Sequence, residues 1–268
     1  MIGVIAGKGN LPKVLINKLI QKKIKFILIN IGFKAKINNI SNNFKITEIF
    51  NIIDFLNSNH CKKVILVGKV NRPSLKDLKF DYKILKLLPE ILINLKKGDS
   101  FLLDLVIKIL KKNKIEVVSC LKYIPEITAD NFLSKTKPSK DDILDIKKGK
   151  SLLEHINSKF DVGQSVVVNK GFVVGIEGAE GTDLMLRKIT KIQKKINNGK
   201  LSGVLVKIPK KIQDIRVDIP TIGINTIKNC INAGIKGIAL KRNENIFLDQ
   251  NKCNELIKKN KFFIKVIN

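Results

Sequence analysis

The first half of the chain alternates short apolar runs with amphipathic, lysine-rich stretches. The apolar runs predict strands, and the amphipathic stretches predict helices. We expect strands over residues 2–6, 25–30, 63–67 and 115–118, and helices over residues 11–22, 52–58, 82–97 and 100–112. Because helices separate the strands, the pattern indicates a mostly parallel sheet in a Rossmann-like domain.

The second half has a different pattern, in which two strands follow each other directly. Residues 164–168 and 172–176 are joined by Asn169-Lys170-Gly171, a sequence typical of a β-hairpin. Further strands are expected over residues 203–208, 235–240 and 262–266, with helices over residues 183–196, 224–233 and 252–259. The pattern predicts an α/β domain with a mixed sheet.

A polar stretch separates the two halves. Residues 129–150 contain Pro138 and several Asp and Lys residues, which favours a linker that leads into a helix. We therefore divide the chain into a Rossmann-like N-terminal domain (1–130), a linker and helix (131–150) and a C-terminal catalytic domain (151–268). The fold class is α/β.

Composition restricts the compartment. Lysines interrupt every long apolar run, so we expect no transmembrane helix, and residues 1–6 resemble a first strand more than a signal peptide. The four cysteines form no C-x-x-C pair and there are only two histidines, which argues against a zinc site and a disulfide framework. We expect a cytoplasmic protein.

The formal net charge of +28 has two interpretations. A nucleic-acid interface would show clustered basic residues with interleaved aromatics, whereas here lysine is spread along the chain, with two Tyr and no Trp. Codon bias toward Ile, Lys and Asn explains the excess without any partner. A basic surface would also favour approach to anionic lipid headgroups.

A glycine-rich turn follows the first predicted strand. Gly7 and Gly9 leave backbone N–H groups open to an anion, and Asn10 is placed to cap the next helix. Lys69 follows another parallel strand, at the edge where ligands of such sheets bind. The spacing is not G-x-G-x-x-G, and no acidic residue suited to a ribose follows the second strand, so a nicotinamide cofactor is poorly supported. A turn without a ligand is the alternative.

Three carboxylates lie between a predicted strand and a predicted helix. They are Glu177, Glu180 and Asp183, and Thr182 is placed to cap the helix. Two glycines in the same segment let the backbone approach a ligand closely. The acids either form part of a functional site or stabilise the helix start through its dipole.

The segment at residues 213–220 is the most informative. If it is extended, its period of two places Asp214, Arg216 and Asp218 on one face and turns Ile215 and its aliphatic neighbours toward the core. Two carboxylates around a guanidinium suit phosphoryl chemistry, because the acids can hold a divalent ion or activate water while the arginine neutralises phosphate oxygens. An edge strand with a salt-bridged outer face is the alternative.

Several runs of the sequence carry a family resemblance. Besides residues 213–220, they are Asp161-Val162-Gly163-Gln164, Glu180-Gly181-Thr182-Asp183-Leu184-Met185, Val206-Lys207, Gly223 with Thr226, the turn at residues 3–12, Gly68-Lys69-Val70 and Lys97-Gly98-Asp99. These runs resemble the two-domain UDP-2,3-diacylglucosamine pyrophosphatases of lipid A biosynthesis, which are unrelated to the metallophosphoesterase type. The resemblance covers nearly the whole chain.

The resemblance implies a magnesium-dependent cytosolic hydrolase that holds its substrate between two domains. It implies conversion of UDP-2,3-diacylglucosamine to UMP and lipid X, which is 2,3-diacylglucosamine 1-phosphate. Asp218 and Asp214 are then the expected catalytic and Mg²⁺-binding residues, although Asp183 and Glu180 are also eligible ligands. The expected substrate contacts are Gly7, Gly9, Asn10, Lys69, Asp99, Gln164, Thr182, Asp183, Lys207 and Arg216.

The expected partner is a glycolipid nucleotide, met by peripheral contact with the inner-membrane surface and without nucleic acid. The sequence leaves open whether the chain forms a homodimer. Two other functions are kept as alternatives: a dinucleotide-dependent oxidoreductase, and a basic nucleic-acid-binding protein whose affinity would depend steeply on salt. No Ser, Cys or His constellation offers a covalent route, so direct attack by water is the simpler mechanism.

Overall fold

The computed structural model describes residues 1–32, 42–71, 87, 89–93, 99–132, 134–158, 160, 162–198, 200–211 and 214–268. The chain divides into two compact units, Met1–Pro125 and Glu126–Asn268. In the described part, no helix is long and apolar enough to cross a bilayer.

A parallel five-stranded sheet forms the centre of the first unit, in the order β3-β2-β1-β4-β5. Its strands are β1 (Ile2–Ala6), β2 (Phe26–Asn30), β3 (Asn42–Asn43), β4 (Lys63–Val67) and β5 (Glu116–Val117). In the central strand, Val4, Ile5 and Ala6 are buried, as expected for a parallel strand covered on both faces. The predicted parallel sheet is confirmed.

The bounds of three helices in this unit are described: α1 (Asn10–Gln21), α2 (Ile49–Ser58) and α3 (Asp99–Lys112). Leu56 of α2 packs so closely on β1 that a Cβ at Gly3 would lie 2.4 Å from its Cδ2. The predictions for residues 11–22, 52–58 and 100–112 are confirmed to within a few residues. Of the helix predicted over 82–97, only residues 87 and 89–93 are described, and they are helical.

A mixed five-stranded sheet forms the second unit, in the order β12-β10-β8-β6-β7. Its strands are β6 (Ser165–Asn169), β7 (Phe172–Ile176), β8 (Val204–Lys207), β10 (Gly237–Lys241) and β12 (Phe263–Ile267). β6 runs antiparallel to both neighbours, and the other pairs are parallel. The predicted hairpin and mixed sheet are confirmed. A separate parallel pair joins β9 (Thr221–Ile222) to β11 (Ile246–Phe247).

Helices cover both faces of the mixed sheet. They are α4 (Lys140–Ile156), α5 (Thr182–Ile196), α6 (Ile224–Asn232) and α7 (Gln250–Lys259). On one face, α4 packs its Ile146 and Leu153 against the valines of β6 and β8. On the other face, α5, α6 and α7 form a second apolar cluster with the remaining side chains of the same strands. β6 is therefore buried on both sides, whereas β7 lies at the sheet edge with Phe172 and Ile176 exposed.

The polar stretch at residues 129–150 contains a 3-10 turn (Ala129–Asn131) and the first half of α4. Ser139 caps α4 in a reciprocal capping box with Asp142. A linker that leads into a helix was expected here, and the helix begins at Lys140.

Candidate active site

Because β6 runs antiparallel to β7 and β8, three polar residues meet at one end of these strands in the C-terminal sheet. Ser165, the first residue of β6, pairs in register with Lys207, the last residue of β8. On the other side, the Glu177 backbone N–H donates to the Ser165 carbonyl at 2.9 Å, directly after β7 ends. The ends of β8 and β7 and the start of β6 thus bring Lys207, Ser165 and Glu177 side by side.

The side chains of these residues form a hydrogen-bonded network with Thr182. Lys207 Nζ donates to Thr182 Oγ1 at 2.7 Å, and Thr182 Oγ1 donates to Glu177 Oε2 at 2.9 Å. Ser165 Oγ donates to the same carboxylate oxygen and lies 3.1 Å from Thr182 Oγ1. Lys207 Nζ lies 3.6 Å from Glu177 Oε2. The network holds one ammonium group and one carboxylate at a nearly buried position.

The network keeps Glu177 ionised. Burial by itself would raise the pKa of the Glu177 carboxyl group, but the Lys207 charge and the hydrogen bonds from Ser165 and Thr182 outweigh it, and the pKa is lowered. Near neutral pH, Glu177 is therefore an anion that stabilises the Lys207 ammonium. It is suited to holding Lys207 in place and unsuited to accepting a proton from water.

Thr182 does not cap α5, and the cap prediction is wrong. Gly181, with a φ of 81°, occupies the N-cap position and makes no side-chain bond. Since Thr182 is the first residue of the helix, its hydroxyl group is available to bridge Lys207 and Glu177. Of the neighbouring acids, Glu180 pairs with Lys188 at 3.2 Å, and Asp183 accepts from Asn229 Nδ2 at 3.0 Å. The three predicted carboxylates thus have three separate partners.

Residues 214–218 form a turn and residues 219–220 belong to no strand, so the predicted strand is wrong. The Asp214 carbonyl accepts from the backbone N–H groups of Val217 at 3.1 Å and Asp218 at 3.2 Å. The Asp214 carboxylate accepts from the Arg216 backbone N–H at 2.9 Å and also binds the Arg216 guanidinium. Ile215, which was expected to face the core, is 48% exposed. Gln213 lies outside the described residues.

The two aspartates of this turn have different side-chain partners. Asp214 forms a local ion pair with the exposed Arg216, and this pair lowers the pKa of the Asp214 carboxyl group. Asp218 is partly buried and its side chain is hydrogen-bonded by Gln164, which directly precedes β6. Asp218 therefore lies at the same end of the strands as Lys207 and Glu177.

Asp218 and Glu177 have pKa values shifted in opposite directions. Burial raises the pKa of the Asp218 carboxyl group, the nearby Glu177 charge adds to this effect, and the Lys210 and Lys207 charges and the Gln164 hydrogen bond offset it only in part. Two carboxyl groups whose pKa values are shifted in opposite directions are typical of sites where one carboxylate serves as a fixed charge and the other exchanges a proton. Asp218 is the one suited to proton transfer.

Asn245 ties the loop that carries Asp218 to the sheet. Its buried side chain donates to the carbonyls of Lys207 at 3.2 Å and Pro220 at 3.4 Å, and it accepts from the Lys241 N–H at 2.7 Å. Lys207 immediately precedes the loop and Pro220 follows Asp218 closely. One amide side chain therefore fixes both ends of the loop beside the polar network.

In the N-terminal unit, the two predicted binding loops are joined by backbone hydrogen bonds. The Gly7 N–H donates to Val67 O at 2.8 Å, so it is not open to an anion as expected. The Lys8 N–H donates to Lys69 O at 2.7 Å, and the Lys69 N–H donates to Lys8 O at 2.8 Å. A Cβ at Gly7 would lie 2.5 Å from Lys69 O, so this approach requires glycine. Gly9, with a φ of 110°, takes the N-cap of α1; Asn10 is the first helical residue, and its predicted capping role is wrong.

Several other sequence predictions fall outside the described residues. Gly98 and Asp161, which carry part of the family resemblance, belong to this group, as does the side chain of Asp99, whose backbone is the first residue of α3. The predicted substrate contact of Asp99 stays a prediction.

The donor set at the C-terminal site suits a magnesium ion that shares its ligands with substrate. Within the described ranges, no group of three or more His, Cys, Asp or Glu side chains is close enough to form a metal site on its own. Mg²⁺ is commonly held by one or two carboxylates together with substrate phosphates and water. Asp218 fits this pattern, whereas Asp214 would first have to release Arg216.

Ser165 was missed by sequence analysis, and Glu177 was named only as one of three acids. The available signal was a polar residue at each end of a hairpin: a serine that opens an apolar strand and a glutamate that directly follows the next one. The register that places Lys207 beside Ser165 joins strands with distant sequence positions, so hairpin geometry alone does not provide it.

Comparison with known proteins gives matches along both units. Residues 1–127 match the model of the LpxI N-terminal domain, and residues 129–265 match that of the LpxI C-terminal domain. The chain is also 36% identical over 196 residues to the UDP-2,3-diacylglucosamine pyrophosphatase LpxI of Caulobacter vibrioides, which covers 72% of this chain and 70% of that protein. The resemblance stated from the sequence is confirmed, and neither alternative function gains support.

Proposed function

The chain belongs to the LpxI family, and we propose that it hydrolyses the pyrophosphate bond of UDP-2,3-diacylglucosamine to UMP and 2,3-diacylglucosamine 1-phosphate. The observation that carries this proposal is the position of Asp218, with its raised pKa, beside the charges of Lys207 and Glu177. Attack of water on a phosphate anhydride needs a group that accepts the proton of the water and a fixed cation that stabilises the charge on the phosphate.

Asp218 acts as the general base. It takes a proton from a water molecule while the water oxygen forms a bond to one phosphorus of the pyrophosphate. The bond from that phosphorus to the bridging oxygen breaks, and the second phosphate leaves with the electron pair. A carboxyl group with a raised pKa is a better proton acceptor than an ordinary aspartate.

Lys207 supplies positive charge to the phosphate oxygens. One of its three N–H donors is used by Thr182, so the ammonium group has donor capacity left for substrate. Glu177 keeps the ammonium at a fixed position. The site therefore does not have to reorganise when charge develops on the leaving phosphate. Arg216, which is bound by Asp214 at the surface of the same turn, would meet a phosphate as well.

Magnesium dependence belongs to the same proposal. A bound Mg²⁺ would polarise the phosphate oxygens and lower the charge that the attacking water has to approach. Asp214, once it releases Arg216, would hold the ion together with substrate oxygens and water, while Asp218 stays available to accept the proton. Gly7, Gly9, Asn10, Lys69 and Asp99 are the proposed substrate contacts of the N-terminal unit, and Gln164, Thr182 and Asp183 those of the C-terminal unit.

We also propose that the enzyme works in the cytoplasm at the inner-membrane surface. The support is chemical: the proposed substrate carries two acyl chains, and the protein has a formal net charge of +28, which favours contact with anionic headgroups.

The test is release of UMP from UDP-2,3-diacylglucosamine in detergent micelles by the purified chain, with and without Mg²⁺. UDP-N-acetylglucosamine, which has no O-linked acyl chains, is the control substrate. Reaction in ¹⁸O-labelled water identifies the attacked phosphorus, because the label appears in only one product. Absence of UMP release, or equal release by the Asp218→Asn variant, would overturn the proposal.

A further inference from the structure

Helix α5 has an exposed apolar side that the core does not use. Its core side is formed by Met185, Leu186, Ile189 and Gln193. Leu184, Ile192 and Ile196 recur at multiples of four residues and are 43%, 52% and 42% exposed. At 3.6 residues per turn, such positions form one row along a helix. The row lies on the side away from α6, because Asp183, on the opposite side, is bound by Asn229 of α6.

The row continues onto the edge strand β7. Asn169 of β6 donates to Gln193 at 2.8 Å and to Asn197 at 2.7 Å, which places the C-terminal half of α5 over this end of the strand. The register partner of Asn169 on β7 is Phe172, on the same face of the sheet, and Phe172 is 75% exposed. Phe172 therefore lies beyond Asn169 toward the open edge, next to the row on α5.

Basic side chains surround these apolar residues. Of the five basic residues of α5, Lys188, Lys191 and Lys195 lie on the side of the row. Arg187 and Lys194 lie on the side of Asp183, the single acid of the helix, which is bound by Asn229. Lys188 is paired with Glu180 at 3.2 Å. Lys170 lies in the hairpin turn next to Phe172. Apolar side chains among lysines are typical of helices that lie in the interface of an anionic bilayer.

We propose that this surface, which we call the α5 face, docks the enzyme on an anionic lipid bilayer. It consists of Phe172, Leu184, Ile192 and Ile196, with Lys170, Lys191 and Lys195 around them. This inference rests on the proposed function, since a substrate with two acyl chains resides in a bilayer. The placement fits that role, because α5 begins at Thr182, whose hydroxyl group bridges Lys207 and Glu177. The docking surface thus starts at the proposed active site.

A second copy of the chain fits this face less well. The edge strand β7 offers backbone groups to which a strand of a second copy would pair. However, extension across β7 would bring two lysine-rich helices together, and the repulsion between them would oppose association. An anionic bilayer is complementary to both components of the face, the apolar row and the cations.

The experiment is co-sedimentation of the full-length protein with vesicles of phosphatidylcholine alone and of phosphatidylcholine mixed with phosphatidylglycerol. We expect binding to the mixed vesicles only. The charge variant K191Q/K195Q should bind about fivefold more weakly for each lysine removed. The vesicle affinity of the apolar variant F172T/I192Q/I196Q should fall by about tenfold or more, because the apolar area that the bilayer would bury is removed. Threonine and glutamine suit the strand and the helix, so the fold is kept.

Matched control variants carry the same chemical changes elsewhere. Ile20→Gln removes an exposed apolar side chain from α1, and K258Q/K259Q removes two exposed lysines from α7. Both controls should bind vesicles like the unmodified protein. Equal losses in control and α5-face variants, or no binding to anionic vesicles at all, would overturn the proposal. A change in sedimentation coefficient of the α5-face variants, with vesicle binding unaffected, would overturn it in favour of self-association.

The outcome is independent of the hydrolysis assay. Vesicle binding is measured without substrate, and hydrolysis is measured in detergent micelles. The α5-face variants should hydrolyse micellar substrate at the normal rate and substrate embedded in anionic vesicles more slowly. Vesicle binding without hydrolysis would refute the proposed function alone, and hydrolysis without vesicle binding would refute the docking face alone.

Discussion

Lys207 and Glu177 lie on either side of β6 with 3.6 Å between Nζ and Oε2, and their side chains are only 7% and 12% exposed. A buried ion pair contributes little net stability, because the desolvation of two charges offsets most of their attraction. Its value here is positional. Ser165 and Thr182 complete the hydrogen bonds of the carboxylate, so the ammonium group has one defined location beside Asp218.

Replacing Asp218 tests the assignment of the base. Asp218→Asn removes the proton acceptor while keeping a side chain of the same shape, and we expect UMP release to fall by at least about 10²-fold. Asp218→Ala should likewise abolish turnover with the fold intact. The measurement is kcat for UMP release, with circular dichroism as the check on folding. Near-normal turnover in either variant would refute the assignment.

Asp214→Asn is the matched comparison. The Asp214 carboxylate binds an exposed arginine two residues away, and exposed ion pairs contribute little. We therefore expect this variant to retain measurable activity, with a higher Mg²⁺ requirement from the lost ligand and a weaker substrate affinity through a less ordered Arg216. A loss as deep as that of Asp218→Asn would instead make Asp214 catalytic, as the sequence predicts.

Replacing Glu177 tests whether it positions Lys207. Glu177→Gln keeps an acceptor for Ser165 and Thr182 but removes the charge, and we expect kcat to fall by about tenfold to a hundredfold, since a hydrogen bond to a charged group contributes roughly 1.5–3 kcal/mol. Glu180→Gln, which alters an exposed pair with Lys188, should leave kcat unchanged. If both variants behave alike, Glu177 has no special role.

The Lys207–Glu177 pair also makes a prediction about stability. Lys207→Met leaves a buried carboxylate without its cation and should lower the free energy of unfolding by about 3–5 kcal/mol. Adding Glu177→Gln should restore part of this loss, because the unpaired charge disappears. Urea denaturation of the two single variants and the double variant gives the coupling energy. Additive losses would show that the two groups do not interact.

Asp142 connects pH to stability. Burial would raise the pKa of its carboxyl group, but hydrogen bonds from Lys236 at 2.7 Å and from Ser139 prevail and lower it. The folded state thus favours the ionised form. Its contribution is present above the ordinary aspartate pKa of about 3.9 and is lost as the pH falls through the lowered value in the folded protein.

Asp142→Asn should therefore lower the unfolding free energy by about 1–3 kcal/mol at neutral pH, with a smaller difference below about pH 4. Urea denaturation at both pH values measures this. The exposed neighbour Asp141 provides the control Asp141→Asn, for which we expect a much smaller effect. A destabilisation that does not change with pH would exclude the ionic contribution.

Gly7 tests the contact between the two N-terminal loops. In Gly7→Ala the new methyl group would lie 2.5 Å from the Lys69 carbonyl oxygen, so the loops have to separate. We expect a lower melting temperature and a higher KM, with a destabilisation of about 1–3 kcal/mol. Gly9→Ala meets no atom within 4 Å and suffers only from its positive φ, which costs about 1–2 kcal/mol. An increase in KM only in Gly9→Ala would contradict the proposed role of the loop contact.

Periodicity predicted the strands and helices well but failed at the turn that carries Asp218. The alternation of residues 214–219 is typical of an edge strand, yet the Asp214 side chain bonds the backbone N–H two residues later and converts the segment into a turn. A side chain that bonds the backbone in this way competes with the hydrogen bonds between strands. The alternation of polar and apolar residues does not reveal such competition. The polar network also depends on the register between β6 and β8, which is a tertiary property.

The anchoring of both loop ends by Asn245 has a consequence for how this enzyme can diversify. Because one amide bonds the carbonyls of Lys207 and Pro220, both ends of the loop are held to the sheet independently of the residues between them. Exposed loop positions such as Lys211 are therefore free to vary, provided that the turn at residues 214–218, which carries Asp218, is kept.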